Sequence, residues 1–568
     1  MSRKPMRRYR QSAPLRSVLR WSIAGSCAAS SAHATTTLTV DLSATIRPVT
    51  HAASGSLYGV TETLPADLNG LVAPLHPKMF TNPAADVQQP VGDAIVVAGR
   101  LAATGATVTI RLADWLKGFY TFTTMSDWLD KVGQTVSRKQ AAKLTNVYGY
   151  EIWNEPGGTW ASSNSVSFNE FWRQTYARLR QLDPGEKIIG PSTAWYDSTF
   201  INGFLSFCKT NNCLPDIVSW HELGDGNLAG DFQNYRALEK QLGIGPLAIS
   251  INEYSGPAHI DVEGQPGASA PLIAKFERFS IDSACISFWD VPHPGRLGSL
   301  LATNTEPNGG WWLYKWYGDM TGNMVSTTPP TPTSAKALDG FANLDETTET
   351  ASVIFGGVND GTIQVVVKGF KAATFFGNTV RAVVEHTPFV NRTTVVKATD
   401  NRSTADVNIA NDQIAVSVTA ANATDGYRLV LKPAAGGAGS AAGGMSATAG
   451  GKASAGSSAA GGTQASGGTQ SAAGSVATGG RNSASGGAKG IGGLSDPFGA
   501  GGSTGLVATG GHVTSGGHAS ATDTTLAVMS GGATSAGIGG RAATSDKGTG
   551  GAMNGGTVAA NSAIGAGG

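Results

Sequence analysis

Between about Ser54 and Gly322, short β-like runs alternate with longer amphipathic ones, and no other feature restricts the fold as strongly. Strands separated by helix-length segments need crossover connections, which pair them in parallel and place helices over the sheet. The clearest runs are TVTIRL (107–112), VYGYEIW (147–153), KIIGPS (187–192), DIVSWHE (216–222), LAISINE (247–253) and ACISFWD (284–290). Two shorter candidates, LYGVT (57–61) and the segment at HPKMF (76–80), bring the count to eight. Eight such units over residues 54–324 predict a closed (β/α)8 barrel, a fold of typically ~250 residues.

The segments between the strands follow a helical period. SFNEFWRQTYARLRQLDP sets Phe168, Phe171, Trp172, Tyr176, Leu179 and Leu182 at helical spacing and stops at Pro184. FQNYRALEKQLG ends on a glycine suited to a helix C-terminus. Beyond Val325 the period shortens to two. TASVIFGG, GTIQVVVKGF, TVRAVVEH, TTVVKA, QIAVSVTA and GYRLVLK, punctuated by Gly, Asn and Asp, predict an antiparallel β-sandwich over residues 325–433. The isolated run TTTLTVDLS, within residues 35–53, shares this period and is expected to join the sandwich from the N-terminal side. The sandwich reads as a structural partner of the barrel, with sugar binding as the alternative.

Composition sets both ends apart from this folded middle. The first twenty residues are rich in Arg and Lys, and WSIAGSCAASSAHA then ends in small residues. Residues 1–34 therefore read as an export signal cleaved after Ala34, with a lipoprotein site at Cys27 as the alternative. From Ala434 to Gly568 the chain holds 41 of its 77 glycines and one aromatic residue, Phe498. Such a segment buries too little apolar surface to offset chain entropy, so it reads as a disordered spacer or a tether to the cell surface. In an exported chain FCKTNNC leaves two possibilities open, a local Cys208–Cys213 disulfide or two free thiols, whereas Cys285 reads as core. No Cys/His pair has zinc spacing and HExxH is absent, so no metal or other cofactor is expected. A net charge of +1 argues against a nucleic-acid partner, and no apolar run after residue 34 is long enough for a membrane span.

Two carboxylates end strands with the same local grammar: Asn154-Glu155 in EIWNEP and Asn252-Glu253 in SINEYS. Proline withholds a ladder donor and restricts the residue before it, so Asn-Glu-Pro stops a strand at the barrel mouth. Reacting groups sit at that mouth in barrels of this kind. Glu155 and Glu253 lie 98 residues apart, three βα units, and are expected to face each other. Glycoside hydrolysis needs such a pair, one carboxyl to protonate the leaving oxygen and one to attack or to activate water. A spacing of about 5–5.5 Å gives retention and about 6.5–9.5 Å inversion. Glu222, in SWHEL, is also near a strand end, but if His221 faces inward then alternation turns Glu222 away. Glu62, Asp114 and Asp290 follow strands and read as sugar-hydroxyl contacts or structural groups. Trp153 and Trp160 flank Glu155 as subsite or core residues, Trp311 and Trp312 read as barrel packing, and the loop GPAHIDVEGQPGASA reads as a cleft wall.

WNEP on the fourth strand with a second glutamate on the seventh resembles the retaining glycosidases of clan A, over roughly residues 54–432. YGYEIWNEP, KIIGPS and DIVSWHE with the trailing sandwich are most similar to family 39, which includes β-xylosidases. The resemblance implies Glu155 as acid/base and Glu253 as nucleophile, with Asn154 on the sugar 2-hydroxyl. It further implies His221 near the nucleophile, Trp289 as a stacking floor, and Arg111 beside the nucleophile if its strand is the second. Leu223 departs from the pattern, which suggests a tyrosine in that neighbourhood. The implied activity is that of a secreted retaining glycoside hydrolase acting on a polysaccharide or oligosaccharide, with a β-xyloside as the first expectation. Arabinofuranosidase, galactosidase and endo-glycanase activities are the alternatives. A non-catalytic carbohydrate-binding or adhesion protein is the reading from another class, disfavoured because binding alone needs no carboxyl pair.

Overall fold

A computed structural model describes residues 35–84, 92–224, 226–256, 262–287 and 294–434. Residues 1–34, the tail beyond Ala434, Trp289 and Asp290 lie outside them. The first strand, β1 (Thr36–Pro48), belongs to the C-terminal sheet. The next eight close a parallel barrel in chain order: β2 (Gly55–Leu57), β3 (Met79–Pro83), β4 (Thr107–Arg111), β5 (Val147–Glu151), β6 (Lys187–Thr193), β7 (Ile217–Glu222), β8 (Ala248–Tyr254) and β9 (Ser283–Ile286).

Six of these coincide with the runs read from the sequence, and the first two are displaced. The run expected at 57–61 gives a strand of three residues that ends at Leu57, because Tyr58 turns into the left-handed region (φ 52°). The segment expected at 76–80 begins its strand only at Met79, since His76 (φ 42°) closes a short 3-10 turn ahead of Pro77. Arg111 thus ends the third barrel strand, not the second.

The helices form where period and capping agree. Phe168–Leu182 starts at Ser167, whose side chain accepts from the Glu170 amide, and buries Phe168, Phe171, Trp172 and Leu179. Leu228–Leu242 ends at Gly243, which takes the left-handed cap (φ 63°) that only glycine adopts without strain. Part of the expected cleft wall is helical, since Pro266–Arg278 begins inside that segment. Among the described residues no helix is long and apolar enough to cross a membrane.

Two interruptions of the barrel register shape the site. Pro191 pairs with Ser219 and Thr193 with Trp220, so Ser192 is an extra residue in β6. Trp220 pairs with Ile251 and His221 with Glu253, so Asn252 is extra in β8. A bulge breaks the strict alternation of faces and re-aims side chains, and Ser192, Asn252 and Glu253 are all buried.

The remaining strands are β10 (Asn323–Thr328), β11 (Asp339–Asp345), β12 (Thr350–Gly356), β13 (Thr362–Lys368), β14 (Thr379–Thr387), β15 (Asp400–Asn408), β16 (Gln413–Thr419) and β17 (Gly426–Pro433). With β1 they make a nine-stranded sheet in the order β15-β14-β17-β12-β11-β10-β1-β13-β16. β1 is an inner strand: it pairs antiparallel with β10 and parallel with β13, the one parallel pair of the sheet. Its Leu38, Val40 and Leu42 join Val353, Phe355, Val365, Tyr427 and Leu429 in a second core separate from that of the barrel.

Helix Pro266–Arg278 packs on β11 and β12. At Gly267 a side chain would collide with the Ala423 carbonyl, and the Gly267 amide donates to the Thr424 carbonyl at 3.0 Å. The same helix sends Lys275 and Arg278 to Asp339 of β11, at 3.0 and 2.7 Å. Burial lowers the Lys275 pKa against the pull of the Asp339 charge. Removing one partner of a buried pair leaves an uncompensated charge, so Asp339→Ala is expected to cost about 3–5 kcal/mol, read as a lower urea midpoint in equilibrium unfolding.

Candidate active site

Glu155 and the turn that carries it are set by local backbone chemistry. Residues before proline are biased to extended conformations, yet Glu155 is left-handed (φ 53°, ψ 52°) and caps the short helix Pro156–Thr159. A non-glycine residue held there costs of order 1–3 kcal/mol, and such strain gathers at functional sites. The strained turn is fastened on both sides. The Glu155 amide donates to the carbonyl of the bulged Ser192 at 2.8 Å, and the amides of Gly158 and Thr159 donate to the Glu155 carbonyl at 2.9 Å.

Glu253 sits across the mouth on β8, with its side chain only 1% exposed. Arg111 donates from Nη1 to Glu253 Oε1 at 2.8 Å, while its Nε lies 3.0 Å from Glu151 Oε1. Arg111 and Glu151 are cross-strand partners at the C-terminal ends of β4 and β5. A buried guanidinium is tolerable only when paired, and here two buried carboxylates flank it. Asn252, turned inward by its bulge, donates to Glu151 Oε1 at 2.7 Å and to Ser192 Oγ at 3.1 Å. Ser192 Oγ lies 2.8 Å from Ser219 Oγ. Glu253 Oε2 is buried without a hydrogen-bond partner.

His221, fully buried, bridges the two glutamates. Its Nδ1 is 3.0 Å from Glu155 Oε1 and 3.7 Å from Glu253 Oε2. Burial pulls the imidazole pKa down, but the charge of Glu253 and then the hydrogen bond and charge of Glu155 outweigh it, so His221 titrates above its ordinary value. One atom from each of Glu155, His221 and Glu253 lies within 4.8 Å of the others. The nearest carboxylate oxygens therefore lie within 4.8 Å of each other, in keeping with the ~5 Å of a retaining pair. The trio could reach a cation by distance, but Arg111 already supplies positive charge to Glu253.

Asn154 is buried, and its Oδ1 lacks a hydrogen-bond partner. Arg111 reaches Glu253 from the third strand, so the contact does not need the second-strand place on which it was conditional. Trp289 lies outside the described residues. Glu222 faces the helix layer: it accepts from the Trp220 indole at 2.7 Å, and burial pushes its pKa up to about 8. Trp153 is buried among Tyr120, Trp128, Trp160 and Phe171, and so serves as core. Trp311 and Trp312 donate to the Leu71 and Val396 carbonyls. Cys208 and Cys213 are buried and unbridged, and Cys285 is buried in a small apolar cluster. Sequence reasoning missed Glu151 and Tyr58. Glu151 could have been found from its place in YEIWNEP, where it alternates with Tyr150 and ends the strand beside Arg111. Asp114 is fully buried, both of its oxygens accepting from the phenols Tyr58 and Tyr120. Burial raises its pKa to about 6 against the charge of Arg111.

No protein-family model matches the chain. The solved structure of N2152 from Neocallimastix frontalis is 46% identical with a TM-score of 0.69, over 71% of this chain and 100% of that one. A family 39 glycoside hydrolase from Xanthomonas axonopodis pv. citri shares the fold at 16% identity and a TM-score of 0.51, over 71% of this chain and 98% of its own. Two curated relatives are a 3-O-alpha-D-galactosyl-alpha-L-arabinofuranosidase of Bifidobacterium longum subsp. longum, 29% identical over 471 residues, and a 3-O-beta-L-arabinopyranosyl-alpha-L-arabinofuranosidase of Bifidobacterium pseudocatenulatum, 27% identical over 476. Each match takes in 70% of this chain but only 40% and 47% of those proteins, so the chain spans less than half of their length.

The electrostatics of the trio can be read directly. A raised His221 pKa means that its stabilising contribution is fully present below pH ~6.5 and is lost as pH rises through the folded value. Glu253→Gln removes the largest raising charge and leaves burial in place. NMR titration of the imidazole is expected to place His221 above its ordinary value in the wild type and lower in Glu253→Gln.

Proposed function

We propose that this chain, which has the fold of the clan A glycoside hydrolases, is a retaining enzyme that cleaves α-L-arabinofuranosyl linkages, with units carrying a further sugar at O3 among its substrates. One observation carries the retaining reading: atoms of Glu155 and Glu253 within 4.8 Å of each other across a barrel mouth. The sugar follows from the names of the two curated relatives, both arabinofuranosidases, which favour an α-L-arabinofuranoside over a β-xyloside. An export signal in residues 1–34 would put the enzyme where plant or microbial polysaccharide is met.

The chemistry then runs between two carboxyls. Glu155, 20% exposed and hydrogen-bonded to His221, delivers a proton to the glycosidic oxygen as that bond breaks. Glu253, its Oε1 held by Arg111, attacks the anomeric carbon with Oε2 and forms a glycosyl ester. Asn154 accepts from the sugar 2-hydroxyl through the Oδ1 that has no protein partner, a contact that strengthens as charge develops at the ring. Formation of the ester removes the charge that raises the His221 pKa, so the imidazole releases its proton more readily while Glu155 takes one from the incoming water. Two exposed aromatics on mouth loops, Trp195 after β6 and Phe119 after β4, offer faces on which further sugars can stack.

The test is hydrolysis of aryl glycosides and of an arabinose-bearing polysaccharide, with product anomers followed by proton NMR. The α-L-arabinofuranoside is expected to be cleaved fastest, with the α anomer appearing first. Glu253→Gln is expected to abolish turnover on every substrate. Glu155→Gln should lower kcat by roughly 10²–10⁴ on sugar leaving groups and far less on 4-nitrophenolate, which leaves without a proton. Cleavage of only the β-xyloside would overturn the sugar, and a β anomer formed first from the arabinofuranoside would overturn retention.

A further inference from the structure

We propose that Tyr58 is a positioning residue for Glu253: its hydroxyl, oriented by Asp114, steadies Arg111 so that the guanidinium engages Oε1 and leaves Oε2 as the attacking atom. The inference rests on the retaining reading above and adds to it the device that makes the two nucleophile oxygens unequal.

The direction of each hydrogen bond follows from the groups involved. Asp114 accepts from Tyr58 at Oδ2, 2.6 Å, and from Tyr120 at Oδ1, 2.9 Å. An ionised carboxylate only accepts, so the Tyr58 hydroxyl spends its proton on Asp114 and turns its lone pairs to Arg111. Arg111 Nη1 donates to that oxygen at 3.2 Å and to Glu253 Oε1 at 2.8 Å. The guanidinium is thus fixed by Glu151 at Nε and by Tyr58 and Glu253 at Nη1. Its carbon also lies 5.7 Å from the centre of the Tyr58 ring. Tyr58 is itself held in place: it has a left-handed φ of 52°, its amide donates to the Thr81 carbonyl at 2.9 Å, and it is 3% exposed. A strained backbone this close to the nucleophile is expected where the surroundings over-determine a position. Residue 223, a leucine next to the end of β7, brings no hydroxyl to Glu253.

In the attack, the bond formed joins Glu253 Oε2 to the anomeric carbon. The exocyclic carbon–oxygen bond breaks, and its oxygen takes the Glu155 proton. Oε1 becomes the ester carbonyl oxygen and keeps its hydrogen bond from Arg111, so the same cation that aligns the attack polarises the ester for water.

The experiment follows covalent labelling of Glu253 by 2-deoxy-2-fluoro-α-L-arabinofuranosyl fluoride, read by intact mass against time and concentration. In Tyr58→Phe the maximal labelling rate is expected to fall at least tenfold, while the concentration giving half that rate stays within twofold. Tyr120→Phe, which touches Asp114 but not Arg111, is expected to lose threefold or less. Equal maximal rates in Tyr58→Phe and wild type overturn the proposal, as does a change confined to half-saturation and melting temperature. If Tyr58→Phe does not fold, Asp114→Asn takes its place, because an amide offers one acceptor oxygen to two phenols. It should lower the maximal rate in the same way, and an unchanged rate overturns the proposal. A wild type that turns over arabinofuranosides without being labelled overturns the retaining reading itself, and the positioning step falls with it.

Discussion

A guanidinium fully enclosed in protein is the constraint on which this barrel mouth depends. Arg111 cannot be buried without carboxylate partners, and the strand register supplies them from two directions, Glu151 beside it and Glu253 from the far side of the barrel. Glu151 Oε1, which faces the guanidinium, also accepts from Asn252, and through that amide the network reaches the hydroxyls of Ser192 and Ser219. One buried cation therefore fixes the rotamers of groups on four strands, and Glu253 inherits its orientation from a network that is mostly structural.

The architecture was legible because alternation of periods is a property of long stretches. Six of eight barrel strands could be placed from apolar runs, and the two that moved did so where single residues enter the left-handed region, at Tyr58 and His76. No pattern of hydrophobicity reports such a turn. The two glutamates were legible for a local reason, since Asn-Glu at a strand end needs few assumptions. Their surroundings were hidden by the bulges. Strict alternation correctly turned Glu222 outward, but the same rule cannot bring both Asn252 and Glu253 inward, which only the extra residue in β8 allows. Likewise proline after Glu155 predicted an extended backbone, and tertiary ties to Ser192 impose a left-handed one. Arg111 was expected beside Glu253 only from the second strand and reaches it from the third, because counting strands is a weaker guide than distance in a closed barrel.

Charge inside the mouth is balanced to stay responsive. In the proposed reaction His221 lies between a carboxyl that gains and loses a proton and one that loses its charge on forming an ester. Its own protonation follows whichever neighbour is negative, which keeps the pocket from accumulating unpaired charge at either stage. Asp114, whose pKa burial raises to about 6, lies one tyrosine behind Arg111, so the outer network has a titration of its own.

The placement of β1 bears on how the chain is made. The nine-stranded sheet has its first strand at the N-terminal end of the barrel and the other eight after it, with β1 lying between β10 and β13. During synthesis β1 leaves the ribosome with no sheet to enter, and the whole barrel must follow before β10 can pair with it. Until β13 arrives, an apolar strand carrying Leu38, Val40 and Leu42 is an unpaired edge. The sandwich is therefore a discontinuous unit with the barrel inserted in it, and a gene fragment beginning at residue 325 would encode a sheet with a gap between β10 and β13 rather than a separable module.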